Sequence, residues 1–105
     1  MAQLTVYKNK NPQTRTAVPF LLDIQNDLFS DLETRVVVPL HLASALRGKA
    51  LRTLTPILEI EGDFFVMLTP QLAGIPKSEL GAPVAELRQH RAEIIAAIDF
   101  LITGV

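Results

Sequence analysis

The sequence contains no cysteine and no tryptophan, and only 6% of its residues are aromatic. Without cysteine there is neither a disulfide framework nor a thiolate metal site. The two histidines, His41 and His90, match no zinc-ligand spacing. Neither sign of charge is in excess: ten Lys and Arg stand against eleven Asp and Glu, for a formal net charge of -1. That balance argues against a chain that holds nucleic acid by phosphate neutralisation, which shows a basic excess. No apolar run approaches the ~20 residues of a membrane span. The start, MAQLTVYKNKNP, carries neither an apolar signal core nor a small-residue cleavage site. The expectation is a cytoplasmic protein with no membrane partner. Gly62, Gly74 and Gly81 form no dinucleotide-binding or P-loop pattern, and no serine lies in a nucleophile elbow. No cofactor and no metal are expected.

What is present is apolar: 49% of 105 residues, with a mean hydropathy of +0.29. This argues against disorder and suits a single domain over residues 1–105. Gln3–Lys8 alternates polar and apolar residues and predicts a strand. Ala17–Ile24 is expected to pair back on it across the polar turn at Asn11-Pro12, with Pro19 near an edge or bulge. Arg35–Leu40, RVVVPL, predicts a further strand. Pro56–Glu61 and Phe64–Thr69 flank Gly62-Asp63, the loop of a tight hairpin. His41–Leu54 suggests a short helical turn weakened by Gly48, and Pro70–Gly81 reads as irregular. After Pro83, apolar residues from Val84 to Val105 recur near a 3.6 period, with Glu86, Arg88, Gln89 and Glu93 opposite. This predicts one amphipathic helix with Pro83 at its first position and Gly104 at its end. About five strands and a terminal helix make a small, mainly β, α+β domain.

Catalytic chemistry is thinly represented. His41, following a strand, is a candidate base, but a lone histidine in such a place is more often structural, and the same holds for His90. Asp23 and Asp27 are candidates to meet in space; the plainer interpretation is a turn residue and a solvated loop charge. Arg47, Lys49 and Arg52 form a small basic cluster that would bind a polyanion only weakly, with an acidic protein segment as an equal candidate. Two features resist a purely structural interpretation. Leu28-Phe29 places two large apolar residues inside the acidic segment Gln25–Thr34; they either fold into the core or form an exposed contact. The terminal segment, Phe100 to Val105, stays apolar, and Asp99 stands near the negative end of the helix dipole, where a carboxylate is unfavourable.

These segments together resemble the CcdB family of toxins. The similarity runs through Val6–Lys8, Asp23-Ile24-Gln25-Asn26-Asp27, Arg35–Leu40, Met67-Leu68-Thr69, Ala73-Gly74-Ile75-Pro76 and the ending Ala97–Val105. The resemblance implies an SH3-like β-barrel or curled antiparallel sheet with a C-terminal helix, assembled as a homodimer. It implies a toxin of a type II toxin–antitoxin pair that serves plasmid maintenance. Such a toxin binds the DNA gyrase A subunit, traps the cleaved complex as a topoisomerase poison, and performs no chemistry of its own. A CcdA-like antitoxin would fold on it, neutralise it, and repress the shared operon with it, so that operator DNA is bound only together with antitoxin. Carried over position by position, the gyrase contact falls on Asp99, Ile102, Thr103, Gly104 and Val105, with Leu28 and Phe29 as a second contact near the same surface. The family's tryptophan before the terminal glycine is replaced here by Thr103, which gives up an aromatic contact and opens a shift in gyrase species preference. The expected antitoxin contacts are Lys10 and Arg15 on the Asn9–Arg15 loop and Arg47 and Arg52 in the basic cluster. The rival readings are a MazF/Kid-like endoribonuclease toxin, whose glycine- and arginine-rich motifs are missing, and a non-toxic homologue that only binds antitoxin.

Overall fold

The computed structural model describes residues 2–45 and 53–104. Among the described residues seven strands form one antiparallel sheet: β1 (Thr5–Asn9), β2 (Phe20–Asp23), β3 (Thr34–Leu42), β4 (Ile57–Ile60), β5 (Asp63–Met67), β6 (Ala73–Pro76) and β7 (Leu80–Glu86). Helix α1 spans Arg91–Thr103. The strand order is β4-β5-β3-β2-β1-β7, with β6 also paired to β3.

β3 organises this curled sheet. One edge pairs with β2; the other pairs with β6 over Thr34–Val37 and with β5 over Leu40–Leu42. Pro39 lies where the second partner changes. Its carbonyl accepts from Leu68 N–H at 3.0 Å, so its missing donor faces the gap between β6 and β5, where no ladder bond is lost. Of the three valines that predict this strand, Val37 and Val38 enter different cores, because successive strand residues point to opposite faces, and Val36 is only half-buried. Val38 and Leu40 join Val6, Leu22, Leu58, Met67 and the helix residues Ile94 and Ala97 in the main core. Val37 joins Tyr7, Leu21 and Leu80 in a smaller cluster. Fully burying one such aliphatic side chain stabilises the fold by about 1.5–3 kcal/mol.

The β1–β2 hairpin forms as expected, with Val6 opposite Leu22 and Lys8 opposite Phe20. The β4–β5 hairpin also forms, but its two loop residues are Glu61-Gly62 rather than Gly62-Asp63. Both have positive φ, 54° and 85°, which a tight primed turn requires and glycine adopts at no steric cost.

Two further expectations are corrected. Pro83 does not open the helix. Leu80–Glu86 is a strand whose residues Pro83, Ala85 and Glu86 face Tyr7, Val6 and Thr5, and pairing with β1 outweighs the local apolar periodicity. A single 3-10 turn, Arg88–His90, leads into α1. Glu86, Arg88 and Gln89 therefore lie outside the helix, which leaves it far less polar on its outer face than the sequence suggests. Pro70–Gly81 is not irregular throughout, since Ala73–Pro76 pairs with β3. The helical turn expected over His41–Leu54 is met by a 3-10 turn at Ala43–Ala45; residues 46–52, with Arg47, Lys49 and Arg52, lie outside the described residues.

Candidate functional site

The segment between β2 and β3 folds as a 3-10 turn, Asp27–Phe29, none of whose residues is buried. Asn26 caps it, its side-chain oxygen accepting from Leu28 N–H at 2.9 Å. Leu28 is 84% exposed and Phe29 55%. The exposed contact, rather than the core packing, is what forms.

Beneath this turn lies a charge pair that sequence reasoning did not assign. Arg35 and Asp23 are both fully buried. Arg35 Nε donates to Asp23 Oδ2 at 2.9 Å, and Nη2 lies 2.8 Å from the same oxygen. Nη2 also donates to the Gln25 carbonyl at 3.2 Å and stands 3.8 Å from Asp27 Oδ1. The reading of Asp23 as a turn residue is thus corrected: both aspartates converge on Arg35, one in the interior and one at the surface. Burial pushes the Asp23 carboxyl above its ordinary value, and the hydrogen bonds from Arg35 and the Gln25 amide offset this only in part. The available signal was the opposition of charges on neighbouring apolar strands, Asp23 closing FLLD and Arg35 near the start of β3.

The N-terminal segment clamps the same turn. Gln3 N–H donates to Asp27 Oδ1 at 2.8 Å, and Gln3 Nε2 to the Ile24 carbonyl at 3.1 Å. Next to it, buried Leu4 has φ 68°, a conformation that costs a bulky residue about 1–2 kcal/mol. It allows Leu4 N–H to donate to the Asp23 carbonyl at 2.6 Å while Leu4 C=O accepts from Leu87 at 2.8 Å.

The second candidate surface is the end of α1. Ile94 and Ala97 are buried against the sheet, whereas Ile102 is 75% exposed and Asp99, Thr103 and Gly104 are also exposed. Thr103 Oγ1 donates to the Asp99 carbonyl at 2.7 Å. Gly104 takes φ 76°, and its N–H donates to the Phe100 carbonyl at 2.9 Å, a left-handed cap of the kind its sequence position predicts. Val105 lies outside the described residues. Within one chain the expectation that the two contacts lie near the same surface is not met: they relate to opposite ends of the helix, since Arg91 Nη1 donates to Gln3 Oε1 at 3.1 Å, tying the Asp27 turn to the first residue of α1, and Thr103 is ~18 Å along the axis from there.

Of the expected antitoxin contacts, Lys10 and Arg15 are exposed on the 9–18 loop. Asn9 Nδ2 braces that loop from within, donating to Thr14 Oγ1 and to the Val18 carbonyl. Lys10 Nζ donates to the Ser78 carbonyl at 2.8 Å. Beside the loop is an open groove of about 220 Å³ with an apolar floor of Val18, Leu21, Val37, Pro39 and Ile75. His41 and His90 engage the Leu42 carbonyl and the Glu93 carboxylate. Among the described residues no three metal-ligating side chains converge.

The family model for CcdB protein matches residues 3–104. The chain belongs to the CcdB family. It is therefore a toxin of the toxin–antitoxin class. The curled antiparallel sheet with one C-terminal helix agrees with the CcdB fold. No helix of the described residues is long and apolar enough to cross a membrane.

Proposed function

We propose that this CcdB family member binds the DNA gyrase A subunit and traps gyrase on cleaved DNA, acting by holding another protein and not as an enzyme. One observation carries the reading: large apolar side chains stand exposed at both positions that match the family's target contacts, Leu28-Phe29 on the turn and Ile102 on the helix end. Exposed apolar patches of this kind mark interaction surfaces. Asp99, Thr103, Gly104 and Val105 complete the helix contact. The toxin acts as a homodimer, and exposed Ala92 and Ala96 give the outer face of α1 an apolar character available to a second copy of the chain. A two-fold toxin on a two-fold gyrase dimer aligns the two axes. The poison stabilises the cleaved gate by binding it more tightly than the resting enzyme. Incubation with gyrase, ATP and supercoiled DNA tests this. Linear, protein-linked DNA is the expected product; its absence at saturating toxin contradicts the reading.

The cognate antitoxin, in this proposal, lies along the groove beside Lys10 and Arg15 and reaches Arg47 and Arg52, and the pair represses its own operon. Charge reversal at the four basic positions then weakens antitoxin binding, and unchanged affinity contradicts that placement.

A further inference from the structure

We propose that the buried Asp23–Arg35 pair is a positioning device: it sets the conformation of the Asp27–Phe29 turn for its partner, at a cost to the stability of the fold. The inference rests on the reading of Leu28 and Phe29 as a target contact.

The turn cannot hold itself by apolar packing, because none of its residues is buried. What fixes it is polar and comes from below. Asp23 Oδ1 accepts from Gln25 N–H at 3.0 Å. The Gln25 side chain bridges the turn to the sheet: its Nε2 donates to the Phe29 carbonyl at 2.8 Å, and its Oε1 accepts from Val36 N–H at 3.0 Å. Arg35 Nη2 holds the Gln25 carbonyl and faces the Asp27 carboxylate. Thus the pair and its neighbour Gln25 reach the turn at Asp27 and Phe29.

The same groups are poorly placed for stability alone. Two buried charges must be stripped of water, and apolar residues of similar volume commonly serve a core as well or better. In keeping with that cost, burial pushes the Asp23 carboxyl above its ordinary value despite the guanidinium beside it. Arg35 Nη1 is buried with no hydrogen-bond partner among the described residues. The guanidinium is aimed where Asp23, Gln25 and Asp27 need it, leaving one of its own nitrogens unsatisfied.

The test compares the wild-type protein with the double variant Asp23→Leu/Arg35→Met by three measurements: thermal midpoint, amide exchange at Leu28, Phe29 and Ser30, and affinity for the isolated gyrase A subunit. The double variant is expected to keep or raise the midpoint while exchange at the three amides speeds at least ~10-fold. Affinity is expected to fall by about 10-fold. A lowered midpoint, or unchanged exchange and affinity in a folded double variant, overturns the proposal. If the double variant does not fold, Arg35→Lys decides, because it keeps the charge and loses the planar fork. Faster exchange confined to 28–30 supports positioning, and unaltered exchange there overturns it. Faster exchange in a protein whose wild type has no affinity for gyrase A refutes the target reading and leaves the positioning role intact.

Discussion

The Asp27–Phe29 turn and the end of α1 both expose large apolar side chains, and they are supported in opposite ways. The turn has no regular element beyond one 3-10 turn, yet it is wired to a buried ion pair, to Gln25 and to the N-terminal segment through Gln3. The helix end belongs to a regular element, yet past Ala97 its exposed residues are held by ordinary helix bonds, one threonine hydroxyl and a glycine cap. Precision at the turn comes from the interior, whereas at the helix end it comes from α-helical geometry. A change beneath the turn should therefore act on stability and binding together, and a change at the helix end chiefly on binding.

The largest expected effect follows from removing the support. Arg35→Ala leaves Asp23 buried without its counter-ion and should destabilise the protein by about 3–5 kcal/mol in urea unfolding. A loss under ~1 kcal/mol would show that the interior does not carry the turn. Next, Gly104→Glu should reduce binding to gyrase A by roughly 100-fold or more, measured by titration calorimetry. A side chain at φ 76° is strained by about 1 kcal/mol, while among the described residues its Cβ meets nothing within 4 Å, so the unfolding midpoint should fall by no more than about 4–8 °C. Full toxicity in that variant would remove the helix end from the target contact. Third, Leu28→Ala should change stability by no more than ~0.5 kcal/mol while lowering affinity for gyrase A about 10-fold. Equal affinity would leave the turn without a binding role.

The smallest effect concerns pH. The folded value of Asp23 lies above 3.8, so the folded state holds that proton more tightly than the unfolded chain. Its contribution to stability is complete below pH 3.8 and is lost as pH rises through the raised folded value. The stability of wild type relative to Asp23→Asn should therefore decline as pH is raised from 3.8, followed by urea midpoints across the acid range. A rising difference would mean that the ion pair outweighs burial.

Parts of the sheet were legible from local signals of three kinds. Gln3–Lys8 showed polar–apolar alternation, Arg35–Leu40 a run of β-branched valines, and the β4–β5 hairpin a glycine-containing two-residue loop, and tertiary pairing agrees with each of them. Ala73–Pro76 was missed: AGIP has no alternation and holds a glycine and a proline, and only pairing with β3 makes it a strand. The helix was placed too early for a related reason. Pro83–Leu87 mimics an amphipathic turn, and only β1, far away in sequence, decides otherwise. The exposed Leu28-Phe29 was visible as an apolar pair in an acidic segment. Its support was not, because Asp23 and Arg35 each look like an ordinary surface charge until β2 and β3 bring them together.

The most direct measurement is amide hydrogen exchange on the whole toxin with and without the gyrase A subunit. Protection should appear in two places at once, over residues 28–30 and over 99–104, with the 9–18 loop unchanged. A complex that protects neither segment, or no complex at all, contradicts the account.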